Sequence, residues 1–94
     1  MDEHTQILLD KTEQLFQQFR SRVITLEELQ NGIVGIASAF EGGLGNQIGT
    51  ALNKLEGDLE HIRFMSQPED HFPDALDRIT QTKRAIRNVR GTKG

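Results

Sequence analysis

Residues 45–66 read G-N-Q-I-G-T-A-L-N-K-L-E-G-D-L-E-H-I-R-F-M-S. Within this stretch Ile48, Leu52, Leu55, Leu59 and Ile62 recur at spacings of 4, 3, 4 and 3, which puts all five on one narrow helical stripe. Asn53, Lys54, Glu56, Asp58, Glu60 and Arg63 fill much of the remaining surface. A stripe of that width is a seam for other helices to pack against, so the rest of the chain is read outward from it.

Upstream, T-L-E-E at residues 25–28 has the form of a capping box. Thr25 accepts from the backbone N–H of Glu28 while the Glu28 carboxylate reaches back, and Ile24 is placed to staple against Leu29. The helix it opens presents Leu26, Leu29, Ile33, Ile36, Ala37 and Phe40, with Gly32, Gly35 and Ala39 as a row of small residues on its far side. Glycine inside a helix costs about 1 kcal/mol relative to alanine, so close backbone approach is one reason for the row and simple tolerance the other. Before the box, Leu8, Leu9, Thr12, Leu15, Phe16 and Phe19 trace another stripe. E-G-G-L-G-N, residues 41–46, reads as a turn, with Asn46 as a cap for the central helix. Gly49 and Gly57 fall off the central stripe. Downstream, Pro68 breaks the chain and Pro73 suits a first helical turn. Phe72, Leu76, Ile79 and Ile86 then form the last stripe, and Gly91 ends it.

The expected architecture is an all-α, small four-helix bundle of antiparallel helical hairpins, one domain over residues 1–90. The helices are expected at about 3–20, 25–40, 46–65 and 69–90, with residues 91–94 as a disordered tail. No stretch alternates apolar and polar residues as a strand would.

Charge is distributed unevenly. Residues 1–77 hold all 14 acids and five bases (Lys11, Arg20, Arg22, Lys54, Arg63), a net −9, while residues 78–94 hold six bases and no acid, a net +6. The chain is acidic overall, at −3. With no cysteine, disulfides and thiolate chemistry are excluded. The N-terminal M-D-E-H-T-Q reads unlike a signal peptide, and no apolar run approaches a membrane span, so a cytoplasmic location is expected.

Chemistry is sparse. Asp58 and His61 stand three apart, as in carboxylate-bridged metal bundles, with His71 nearby in sequence, but the pair points to the polar side of the central helix. No metal or cofactor is assigned. G-G-L-G-N lacks the Lys-Ser/Thr of a phosphate-binding loop and follows a helix instead of a strand. The carboxylates are scattered over polar faces, and no G-x-S-x-G is present. A non-enzymatic protein is therefore expected. An acidic body suits a basic protein partner, and the small-residue face suits a partner helix or a second copy. The residues assigned to that role are Glu27, Glu28, Gly32, Gly35, Asp58 and Glu60. The alternative is a small nucleic-acid-associated regulator using Lys83, Arg84, Arg87 and Arg90 of the basic C-terminal helix.

Residues 15–40, L-F-Q-Q-F-R-S-R-V-I-T-L-E-E-L-Q-N-G-I-V-G-I-A-S-A-F, resemble the first helical hairpin of small bacterial colicin-like immunity proteins. There an apolar helix ends at a polar turn and an I-(S/T)-x-x-E signature opens the next, here Ile24, Thr25, Leu26, Glu27 and Glu28. L-E-H-I-R-F, residues 59–64, sits where such chains carry a long third helix. The resemblance covers under a third of the chain, and no acidic cluster aligns with a toxin-binding patch, so no binding residue is carried over. It implies a cytoplasmic protein that covers the active surface of a basic nuclease toxin.

Overall fold

A computed structural model describes residues 3–40 and 43–91, without the side chains of residues 43–45, 90 and 91. Four helices make up the bundle: α1 (Glu3–Arg20), α2 (Leu26–Ala37), α3 (Gly43–Met65) and α4 (His71–Gly91), with a short 3-10 turn at Pro68–Asp70 leading into α4. No strand occurs among the described residues. The bundle is elongated, 42 × 21 × 19 Å, and α3 packs most closely against α2 and α4, while α1 lies against α2.

The central stripe does what its spacing dictates. Ile48, Leu52, Leu55 and Leu59 have no exposed surface, and Ile62 is buried beside them. Burial of each such side chain contributes about 1.5–3 kcal/mol. Leu29, Ile33, Ala37 and Phe40 face the seam from the α2 side, and Leu8, Leu9, Phe16 and Phe19 from α1. Thr12 is buried among them because its Oγ1 donates to the Leu8 carbonyl at 2.8 Å, which satisfies the hydroxyl inside the helix.

Helix α4 departs from its expected stripe. Ala75, Ile79, Thr82 and Ile86 form the buried line, and Phe72 and Leu76 flank it half-buried. Small residues take the centre because they let α4 lie close to α3; a stripe drawn through the largest side chains misses that.

Local signals set most boundaries. Both capping-box bonds are present, from Glu28 N–H to Thr25 Oγ1 (3.1 Å) and from Thr25 N–H to Glu28 Oε1 (2.8 Å). Ile24 packs half-buried against the core that Leu29 fills. At the end of α1, Val23 N–H bonds the Gln18 carbonyl and Arg22 N–H the Phe19 carbonyl. This is the double closure of a Schellman motif, with Arg22 at the position that glycine usually holds, φ 62°.

Three expectations need correction. Helix α2 ends at Ala37, not 40, although the chain continues in turns that carry Phe40 into the core. Helix α3 begins at Gly43, so Asn46 lies inside it and accepts from Thr50 Oγ1 at 3.0 Å instead of capping it. Gly91 belongs to α4, which starts at His71 after the turn, not at 69. Residues 41–42, and the rest of the expected tail at 92–94, lie outside the described residues.

Two glycines are explained by close approach. A Cβ on Gly32 would fall 2.8 Å from Leu15 Cδ1, so α1 seats Leu15 over the bare backbone of α2. A Cβ on Gly49 would fall 3.3 Å from both the Ala37 carbonyl oxygen and Phe40 Cβ, where the link from α2 crosses α3.

Candidate functional site

The residues assigned to protein binding do not share one surface. Glu27 and Glu60 lie on the outer seam between α2 and α3, joined there by Glu56. Gln30, buried at the centre of this seam, donates from Nε2 to Glu56 Oε2 at 2.7 Å, with Glu60 Oε1 at the limit of bonding distance, 3.5 Å. Arg63 donates from Nη1 to Gln30 Oε1 at 2.5 Å and from Nη2 to Glu27 Oε2 at 3.3 Å. The result is one connected network in which Arg63 pairs with Glu27 and, through the Gln30 amide, is linked to Glu56 and Glu60. The Arg63 guanidinium carbon also lies 5.2 Å from the ring centre of Phe64. Phe64, one turn beyond Glu60, is 70% exposed at the edge of the acidic seam, while Met65, 71% exposed, faces away from it on the Asp58 side of α3.

The other assigned residues fall elsewhere. Glu28 is engaged in the capping box. Gly32 is occupied by Leu15 within the fold, while nothing lies within 4 Å of where a Cβ on Gly35 would sit. Asp58 is two residues from Glu56 and Glu60, hence on another side of α3. It lines a small cleft between α3 and α4, about 70 Å³, with Lys54, Arg78 and Thr82.

His61 is exposed, and the His71 Nε2–H donates to the Ser66 carbonyl at 3.1 Å, closing the turn before α4. Among the described residues no three histidine or carboxylate side chains are grouped to hold a metal. Among the described residues no helix is long and apolar enough to cross a membrane.

On the opposite seam, α1 meets α4. Lys83 pairs with Glu13 at 3.6 Å, and a groove of about 170 Å³ opens beside it, lined by Arg20, Thr80, Lys83, Arg84 and Arg87. Three of the four residues assigned to nucleic-acid binding therefore come together. The Arg90 side chain lies outside the described residues. Arg20 carries no sign of this place in the sequence, because a cation in the last turn of α1 is accounted for by the negative end of that helix's dipole. Only the antiparallel pairing of α1 with α4 brings it to the groove. Gln30 is equally silent, because a polar residue inside an apolar stripe carries no signal until its partners are known.

A third concavity, about 290 Å³, lies at the end of the bundle between Phe19, Arg22, Ile24, Leu26, Pro68, His71 and Phe72. Arg22 stacks 3.9 Å above the Phe72 ring, whose centre is 5.2 Å from that of Phe19.

No family model, curated protein or solved structure matches the chain.

Proposed function

We propose that this chain is a non-enzymatic protein-binding protein whose α2/α3 seam receives a basic partner. The observation that carries the reading is the juxtaposition of exposed Phe64 with the Glu27, Glu56 and Glu60 carboxylates. Aromatic side chains are enriched at protein interfaces, where a few buried anchors supply most of the affinity. Carboxylates around such an anchor speed encounter with a cationic surface and disfavour anionic ones. Gln30 and Arg63 hold those carboxylates in place before any partner arrives, which lowers the ordering cost of association. Neutralisation of a basic toxin, as the immunity-type resemblance implies, is the most concrete form of this role.

The experiment is capture of partners from the native lysate by the tagged protein, with and without nuclease, in parallel with Phe64→Ser, Glu60→Lys and Asp58→Lys. One stoichiometric protein should be retained after nuclease, lost with Phe64→Ser and Glu60→Lys, and kept with Asp58→Lys. Equal retention by all three variants would sink the assignment of this seam.

A further inference from the structure

We infer that the groove between α1 and α4 binds the phosphate backbone of duplex nucleic acid, with Arg20, Lys83, Arg84 and Arg87 as its contacts. This inference is independent of the protein-binding seam, which lies on the opposite side of the bundle.

The chemistry of the lining points one way. Four of the five lining residues are cationic, none is acidic, and the fifth, Thr80, has its hydroxyl committed to the Leu76 carbonyl at 3.0 Å. Lys83 is partly neutralised by Glu13. Among the described residues no carboxylate lies within ion-pair distance of Arg20, Arg84 or Arg87. Three guanidinium forks thus converge from two helices on one concavity without an internal counterion, and guanidinium is the side chain best matched to phosphate oxygens.

The lining also discriminates among phosphate carriers. No aromatic residue borders the groove, so it offers no platform on which unpaired bases stack, as single-strand binders require. A membrane surface is flat and would engage outward cations of α3 and α4 such as Lys54 and Arg78 as readily as those inside a groove. A duplex presents a ridge of phosphates, one charge per about 1.7 Å of axis, and a ridge fits a concavity.

The acidic body does not cancel this field. The bundle is about 20 Å across (21 × 19 Å), and at physiological salt the screening length is about 8 Å. The Glu27, Glu56 and Glu60 charges on the far seam are therefore more than two screening lengths from the groove.

The test is fluorescence anisotropy of a labelled duplex of arbitrary sequence, titrated with the full chain at 50 and 200 mM salt. With three to four phosphates neutralised, affinity should fall about 40- to 150-fold between the two conditions. Arg20→Ala should lower the salt slope by about 0.9 and weaken binding. The Arg84→Ala/Arg87→Ala pair should do so about twice as strongly, whereas Arg78→Ala and Lys54→Ala should change little. Arg20→Lys retains the charge and should recover most of the loss, and circular dichroism confirms that each variant is folded. Absence of duplex binding at 50 mM salt, or binding indifferent to Arg20, would overturn the inference. Tighter binding to anionic vesicles than to duplex would also overturn it, as would a self-association, seen by sedimentation, that the Arg84/Arg87 pair abolishes in place of duplex binding.

Discussion

Arg63 of α3 reaches across the seam to Gln30 of α2, 2.5 Å from Nη1 to Oε1, and so satisfies the one long polar side chain buried in this part of the bundle. The Gln30 amide nitrogen passes the connection to Glu56. Both ends of a buried amide are thereby bonded, which is the condition under which such a group is tolerated. Gln30→Ala should cost about 1–3 kcal/mol, since it removes packing and leaves Glu56 and Arg63 without their shared partner. Urea unfolding reads this directly. Arg63 is only partly exposed while Glu27 is largely so, and loss of their ion pair alone, in Glu27→Gln, should cost less than about 1 kcal/mol. Equal losses for the two variants would mean that the ion pair, and not the amide, holds the seam.

The capping box should be worth about 1 kcal/mol to α2, within a range of about 0.5–2. Thr25→Ala and Glu28→Ala each break one of its two bonds. Because the bonds are reciprocal, the double variant should lose less than the sum, and a double-mutant cycle in urea measures the difference. Charge reversal at Glu28 would mix this folding loss into any binding measurement, so Glu60 is the cleaner position to test.

A glycine-to-alanine series should split by position. Nothing lies within 4 Å of a Cβ at Gly35 or Gly57, so alanine there should stabilise by about 1 kcal/mol each. At Gly32 the gain should be smaller, because the end of the Leu15 side chain must move aside. At Gly49 the obstacle includes the Ala37 carbonyl, which is backbone, and alanine should destabilise. Thermal midpoints that rise equally at all four positions would contradict this account of the two close approaches.

Arg22 combines a cost with a gain. Its left-handed backbone costs about 1–2 kcal/mol in a non-glycine residue, while stacking on Phe72 returns about 0.5–1 kcal/mol at an exposed site. Arg22→Ala keeps the cost and loses the stacking, so it should destabilise. Arg22→Gly removes both and should be more stable than the alanine variant by about 1 kcal/mol. Chemical denaturation of the pair isolates the backbone term.

The sequence made legible what depends on neighbours along the chain. The 4-3-4-3 spacing of Ile48 to Ile62, the T-L-E-E cap and the extent of α1 each follow from interactions within a few residues. It was less informative wherever a partner from another helix decides. Ala75 and Thr82 are central only because α4 lies close to α3. Gly49 is needed only because the link from α2 crosses it. The six residues assigned to one binding surface separate because Asp58 faces α4 while Glu60 faces α2, and because Glu28 is taken up by the cap and Gly32 by Leu15. Arg20 joins Arg84 and Arg87 only after the chain has turned back on itself three times.

That last relationship bears on the order in which the molecule assembles. Contacts between α1 and α2, α2 and α3, and α3 and α4 join consecutive segments, the arrangement associated with rapid folding. The α1–α4 seam alone joins the two ends of the chain, and its closure carries the greatest loss of loop entropy. An anion held between Arg20 and Arg87 binds only the closed form, so it acts as a reversible staple on the slowest contact to form. Occupancy at 100 times the dissociation constant would add about 2.7 kcal/mol to the closed form. Hydrogen exchange in α1 should slow accordingly when duplex is present and be unaffected in Arg20→Ala, making amide protection of the first helix a gauge of what sits in a groove it only half lines.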